Sequence, residues 1–401
     1  MNHNYTSIRL EVTSGCNLNC AYCHNAMHSN QKDDLTTEEL ITLIQNLKRQ
    51  YDIKKILLTG GEPLIKKDIC KIIEVITKLG IKADMVTNGT LLTPELIKSL
   101  ENAGLKRIRI SIDEVSATTE VRGNSNPNDI WKKAKMVVEN SNIELCIHTV
   151  CSPFNVHSLY DVYLKTLEVG ARRWRVFDLG YQGDFIGNSE QFNLESYYQD
   201  LISSTQTILT HYLSNDLKDT LDIEINNIFR TQFLDMKTSD FVSFDIHKAL
   251  IDRLEKSPCD YVAPHQLSIR SNGYGTLCQY FHNPIYDFKK SDLDVPKAID
   301  SLIPYEEFAI AMKDLPYCSK CKYCMVCNSG CRARTHFLTG DMKEADPVAC
   351  FLHPLVHHKI MSMLPDYVQE IYNGFILPTG LEPKYSFDDL KGFLRKKGYD
   401  A

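Results

Sequence analysis

The chain has 401 residues, 43% of them hydrophobic, and a net charge of −6. A chain this long and apolar buries a large core and builds more than one domain, while its mild acidity gives no reason to expect nucleic acid or an anionic membrane as partner. The opening Met1-Asn2-His3-Asn4-Tyr5 is no signal segment, and no apolar run reaches the roughly 18 residues of a membrane span. The expectation is a soluble, cytoplasmic protein whose fourteen cysteines serve ligation in a reducing compartment rather than disulfides.

The alternating run Ile8-Arg9-Leu10-Glu11-Val12 reads as the first strand. The loop leaving it carries Cys16, Cys20 and Cys23, spaced C-x3-C-x2-C. Three thiols at a strand end make a metal or cluster loop, with structural zinc or a redox loop as the alternatives. Three thiolates on a [4Fe–4S] cube leave one iron able to bind a small molecule. Thr36-Thr37-Glu38-Glu39 is a capping box opening a helix with Leu40, Leu43, Ile44 and Leu47. Ile56–Thr59 is a short buried strand. Ile69, Ile72, Ile73, Ile76 and Leu79 mark a helix stopped by Gly80. Ala83–Thr87 is a strand ending at the Asn88-Gly89 turn, and Thr93-Pro94 starts a helix that ends near Gly104. Then come a strand Arg107–Ile112, a helix Trp131–Glu139, a strand Ile143–Val150, a helix Leu159–Val169 and a strand Trp174–Phe177. Strands alternating with helices predict a parallel α/β sheet; periodicity alone does not separate an open sheet from a barrel.

The triad, with aromatic Tyr22 before its last cysteine, and Thr59-Gly60-Gly61-Glu62-Pro63 after the second strand together resemble the motifs of radical S-adenosylmethionine (radical SAM) enzymes. The resemblance implies a partial (β/α)6 TIM-like barrel with its chemistry at the C-terminal strand ends. It implies that Cys16, Cys20 and Cys23 hold the catalytic [4Fe–4S] cluster, whose free iron chelates the amino and carboxylate groups of SAM. Gly60 and Gly61 would let backbone approach that amino acid, and Glu62 would accept from its ammonium. Tyr22 would sit near the adenine. Ser111-Ile112-Asp113 matches the strand-four S-x-D pattern, with more weight on Ser111 than on Asp113. Asn88 is a further SAM contact or a plain turn former. Arg122 either pairs with the SAM carboxylate or makes a surface salt bridge. One electron from the cluster would cleave SAM to a 5′-deoxyadenosyl radical, which removes a hydrogen atom from the substrate.

Residues 1–180 are thus read as the barrel. Residues 181–258 read as a helical bridging segment, with helical spacing over Leu194–Leu213 and Phe244–Leu254, and with Gly180, Gly183 and Gly187 in a connecting loop. No chemistry is evident there. Just before it, Arg172, Arg173 and Arg175 flank Trp174; alternation turns one or two of them toward the barrel mouth, where a substrate anion contact is conceivable.

Residues 259–352 carry eight thiols: Cys259, Cys278, Cys318, Cys321, Cys324, Cys327, Cys331 and Cys350. Asn272-Gly273 turns a hairpin over Ser268–Cys278. Spacing alone admits two zinc sites. The whole pattern resembles the SPASM extension of radical SAM enzymes, which implies two auxiliary [4Fe–4S] clusters, three clusters in all. By motif position Cys318, Cys321, Cys327 and Cys350 bind the outer one, and Cys259, Cys278 and Cys331 the inner. The inner cluster then has an open iron, a non-cysteine ligand or Cys324. Where sulfatase-maturing relatives have an aspartate base, Gln279 follows Cys278 and accepts no proton. Cys70, Cys146 and Cys151 read as core thiols.

Residues 353–401 read as a helical tail. His353 and His357, a turn apart, suggest a metal pair or a surface or cluster-shielding role; Lys391–Lys397 reads as frayed. The resulting expectation is a maturase that oxidises or cross-links a ribosomally made peptide, fed electrons by a flavodoxin or ferredoxin. A cluster loop starting at residue 16 leaves no leader-binding domain before it, so a peptide would be recognised by the barrel mouth, the tail or a separate peptide-recognition protein. The alternatives are a small-molecule or tetrapyrrole-modifying enzyme and a non-catalytic iron–sulfur electron carrier.

Overall fold

A computed structural model describes residues 5–25, 33–116, 121–180, 196–236, 246–259, 265–281, 283–299 and 310–398. Six parallel strands form its centre: β1 (Ser7–Glu11), β2 (Lys55–Thr59), β3 (Lys82–Thr87), β4 (Arg107–Ser111), β5 (Glu144–Val150) and β6 (Arg173–Phe177). Between them run α1 (Thr37–Gln50), α2 (Ile69–Lys78), α3 (Pro94–Asn102), α4 (Pro127–Asn140) and α5 (Leu159–Glu168). The expected capping box forms: Thr36 N donates to Glu39 at 2.7 Å, and Glu39 N to the Thr36 hydroxyl at 3.2 Å. Thr93 caps α3 with Pro94 in its first turn.

The alternation along each strand has one meaning throughout. Ile8 and Leu10, Ile56 and Leu58, Ala83 and Met85, Ile108 and Ile110, Leu145 and Ile147, and Trp174 and Val176 are buried in the core. The other parity carries polar residues, Arg9, Lys55, Asp84, Arg107, Arg109, Ser111, His148 and Arg175, interspersed with Leu57, Val86, Val150 and Phe177. Parallel strands covered on both faces read as continuous apolar runs. These do not, because their second face turns onto a cavity of about 550 Å³ that Arg9, Lys55, Arg109, His148 and Arg175 all line. The sheet therefore curls into a barrel with a polar lumen instead of the apolar filling of a closed TIM barrel.

Two segments correct the sequence reading. The bridging segment is not only helical: β7 (Asp222–Ile225) pairs parallel with β6, and β8 (Phe229–Arg230) folds back on it. Asp-Ile-Glu-Ile is too short for periodicity to register, and it becomes a strand because β6 offers it an edge and Arg173 and Arg175 pair with Asp222 and Glu224. The helices expected there are α6 (Tyr197–Ser214) and α7 (Ile246–Glu255); the expected starts at Leu194 and Phe244, and Gly183 and Gly187, lie outside the described residues. The hairpin forms as expected from β9 (Gln266–Ile269) and β10 (Tyr274–Thr276), with Gly273 at φ 87°. Its β9 also pairs parallel with β1, and with β11 (Tyr286–Asp287) it extends the same sheet.

The basic stretch Lys391–Lys397 is not frayed. Helix α8 (Arg332–Thr339) is followed by α9 (Pro347–Leu355), which runs across the expected boundary at residue 352, then by α10 (Asp366–Gly374) and α11 (Phe387–Lys396). A Ser386/Asp389 capping box, buried Leu390 and Leu394, and Phe387 packed 4.8 Å from Phe351 hold α11 in place. No helix among the described residues is long and apolar enough to cross a membrane.

Candidate functional site

Two loops at the C-terminal edge are zipped together. Gly61 N donates to Thr13 O at 2.9 Å and Glu62 N to Gly15 O at 2.8 Å. A Cβ on Gly60 would lie 2.3 Å from Thr13 O, and one on Gly61 2.1 Å from Gly15 O. The glycines line the cavity, and the backbone they admit here is that of the cluster loop, a reason for glycine that the motif did not announce. Asp34 fixes the loop start by accepting from Thr13 Oγ1 and Ser14 N.

Cys16, Cys20 and Cys23 line one cavity with Tyr22, Gly60, Gly61, Glu62, Asn88, Ser111 and Arg122. Glu62 is 1% exposed. It accepts from Thr87 Oγ1 at 2.7 Å, Asn88 N at 2.7 Å and Leu64 N at 3.0 Å. Burial nevertheless raises its pKa, against those bonds, and no salt bridge to it occurs among the described residues. A carboxylate has about four acceptor sites, so Glu62 retains room for one cationic donor. Asn88 is more than a turn former: Nδ2 donates to Asn17 Oδ1 at 2.8 Å, bracing the third strand end against the cluster loop.

Asp113 departs from its expected role. It does not line the large cavity; it accepts from the Tyr22 hydroxyl, from Arg122 Nη1 at 3.1 Å and from Val150 N at 2.8 Å. Arg122 also donates to Tyr22 at 2.8 Å, so Asp113 orients both. Arg122 is thus no surface bridge. Its Nε is buried without a partner, an orphan donor on a residue that lines the cavity. An amino acid ammonium fits Glu62 and a carboxylate fits Arg122; these residues suit SAM.

The second cysteine field divides in two. Cys318, Cys321, Cys327 and Cys350 surround one enclosed space with Asp346 and His353. Burial and the neighbouring thiols raise Cys318 to about 11 and Cys350 to about 12. Cys278 is likewise raised to about 12 by burial, then by Cys331 and Cys259. Buried thiols that raise one another ionise together only around a cation, as the iron of a cluster provides. Among the described residues no three His, Cys, Asp or Glu converge on the spacing of a single ion; the thiols ring a space instead. Cys324 lines the outer space and lies near Cys318 and Cys321. This withdraws it as the missing inner ligand. His353 faces the outer space, while His357 bonds Tyr323 and Asn373, so the two do not form a metal pair. Cys151 is a buried core thiol, as expected; Cys146 is buried but lies among Arg109, Arg175, Arg107 and Arg173 outside the apolar core, and Cys70 is only half-buried.

Sequence reasoning missed the connection between these parts. Arg334 Nη1 reaches Asp178 at 3.2 Å, and Nη2 reaches Asp346 at 2.8 Å. Asp178 lines the lumen at the end of β6, and Asp346 lines the outer cysteine space and accepts from Cys331 N. Gln279 and Tyr280, next to Cys278, line the lumen too. Cys278 and Cys331, both close to Tyr280, therefore stand against the lumen wall. No local pattern announces Asp178 or Arg334; their partners are 156 and 12 residues apart in sequence.

A family model described as the Radical SAM superfamily matches residues 10–163. An AdoMet-dependent heme synthase of Methanosarcina barkeri is 26% identical over 366 residues, 86% of this chain and 96% of that protein. Among solved structures, Streptococcus suis SuiB bound to precursor peptide SuiA aligns with TM-score 0.63 at 16% identity, covering 87% of this chain and 76% of that one. Native anSMEcpe with bound AdoMet and the Cp18Cys peptide aligns with TM-score 0.64 at 15% identity, covering 92% and 99%.

Proposed function

Because residues 10–163 form a domain of the Radical SAM superfamily, whose members are enzymes, we propose that this enzyme binds SAM at Glu62 and Arg122 and removes a hydrogen atom from a substrate held in the barrel lumen. The observation carrying this reading is that one cavity gathers the Cys16–Cys20–Cys23 loop, the buried Glu62 and the orphan donor of Arg122. When bound, a reduced [4Fe–4S] cluster and SAM supply a 5′-deoxyadenosyl radical capable of attacking an unactivated C–H bond. The chain's own residues position and enclose. Glu62 takes the ammonium, Arg122 the carboxylate, Asp113 orients Tyr22 and Arg122, and Asn88 holds the loop against the third strand. Cys318, Cys321, Cys327 and Cys350 hold an outer auxiliary cluster. Cys259, Cys278 and Cys331 hold an inner one beside the lumen, completed by a non-cysteine ligand or left with an open iron.

The substrate in this reading is a ribosomally made peptide, oxidised or cross-linked, with a flavodoxin or ferredoxin as reductant and a separate protein for peptide recognition. The shared fold of two peptide-bound neighbours supports it. A second reading, a tetrapyrrole or another small molecule, draws on the near full-length match to a heme synthase. A bare electron carrier needs neither Glu62 nor the Arg122 pocket. Anaerobically reconstituted and reduced protein should release 5′-deoxyadenosine from SAM; release absent in a protein that holds its iron would sink the radical SAM reading. A loss of two hydrogens from a peptide encoded beside the gene selects the first substrate class.

A further inference from the structure

The inward faces of β1 to β7 and β9 carry more positive than negative charge among the described residues. Asp84, fully buried, is shared by three cations: Lys55 and Arg107 at 3.4 Å each and Arg109 at 2.9 Å. Glu144 is shared by Arg107 and Arg173 at 2.6 and 2.8 Å. Glu11 is shared by Arg9 and Arg270 at 3.0 and 2.7 Å. Glu224 is shared by Arg175 and Arg230 at 2.5 and 3.1 Å, and Asp222 pairs with Arg173 at 2.6 Å, so all of these acids but Asp222 serve more than one cation. Uncompensated charge in a partly dry cavity is costly unless a counter-ion enters.

Two of these cations, Arg109 and Arg175, come together with a histidine near one level of the lumen. Register pairing sets His148 beside Ser111 on β4 and Arg175 on β6, with Arg109 two residues before Ser111 on the same face. All four residues line the cavity. Arg109 is 9% exposed and its Nε has no hydrogen-bond partner; neither has Nε2 of His148, whose ring rests on Phe177. Burial and the guanidinium groups of Arg109, Arg175 and Arg107 hold His148 well below its ordinary pKa. It therefore stays neutral and adds a hydrogen-bonding edge instead of another charge.

We propose that Arg109, Arg175 and His148 form a carboxylate-binding subsite in the middle of the lumen, which anchors an anionic group of the substrate beneath the SAM-facing rim. The inference rests on the lumen being the substrate cavity, and it sets the substrate class: a compound bearing carboxylates, not a neutral one. Planar guanidinium donors match a carboxylate in paired geometry. The anchor would hold one end of the substrate while the reacting carbon lies nearer the Cys16–Cys20–Cys23 loop at the rim.

The test uses reconstituted, SAM-bound protein and two probe pairs in calorimetry and thermal melts. Citrate is compared with its triethyl ester, and an end-blocked glutamate tetrapeptide with its glutamine counterpart. Saturable binding and a raised melting temperature are expected with at least one carboxylate probe and neither neutral one. Citrate alone points to a small polycarboxylate, and the glutamate peptide to an acidic peptide. His148→Glu places a carboxylate inside the subsite. It should weaken carboxylate binding by about tenfold or more while iron content and SAM affinity hold, and His148→Gln should not. Should His148→Glu fail to retain iron, Arg175→Gln is the second variant, with the same expected loss. Equal binding of neutral and charged probes, no saturation by either carboxylate, or an affinity unmoved in the substituted protein overturns the subsite. Failure of 5′-deoxyadenosine release is a separate result, because binding is read without turnover.

Discussion

At the scale of single residues, burial decides what each carboxylate does. Glu62 sits in the zipped loops and Glu11 just before them, and both are almost fully buried. Burial pushes both pKa values up. For Glu11 it is outweighed by Arg270 and Arg9, aided by Asn25, and the pKa is held at about 2. Glu62 has hydrogen bonds but no salt bridge, and its pKa stays raised. The signs of their pH effects are therefore opposite. The stability contributed by Glu11 is complete above the ordinary carboxylate range and is lost as pH falls toward about 2. For Glu62 in SAM-free protein, stability is greatest at low pH and declines as pH rises through its raised pKa. A Glu62→Gln protein should lose this decline in pH-dependent melts. It should also bind SAM about tenfold more weakly or worse, since a charge-assisted hydrogen bond contributes about 1.5–3 kcal/mol. Unchanged SAM affinity by calorimetry would remove Glu62 from the binding site.

At the scale of elements, the two motif loops are one object. Gly61→Ala places a Cβ where Gly15 O lies, so the loops must part. The expected outcome is a folded barrel, by circular dichroism, that loses about 4 irons and releases no 5′-deoxyadenosine; full iron retention would contradict it. The last helix is the opposite case, an element held by local chemistry. Removing its cap with Ser386→Ala should cost about 1 kcal/mol, measured by denaturant titration, with little effect on iron. That capping box and the Leu390, Leu394 spacing were legible in the sequence, and a basic composition concealed them. β7 is four residues long, and only the neighbouring edge of β6 makes it a strand.

At the scale of the whole molecule, one curled sheet joins both cysteine fields. β9 of the hairpin lies against β1, and Arg334 ties the end of β6 to Asp346 beside the outer thiols. Reconstitution should give about 12 irons per chain if three cubes assemble. Cys327→Ser should remove about 4 of them, whereas Cys324→Ser should remove none. Loss of a full cube in Cys324→Ser protein, by iron analysis and electron paramagnetic resonance, would restore Cys324 as a ligand.

The sequence by itself determined the alternating strands and helices, the three-thiol loop, the glycine pair before Glu62 and the Asn272-Gly273 hairpin. The alternation and the hairpin rest on contacts between near neighbours, which spacing records, and the thiol loop and glycine pair are legible as short motifs. Only the tertiary structure decided that Asp113 serves Tyr22 and Arg122, that Cys324 stands with the outer thiols, and that Arg109, His148 and Arg175 meet. Those relations depend on which strands lie side by side and which way the sheet curls. A chain records such distances only after burial of its apolar faces has fixed them.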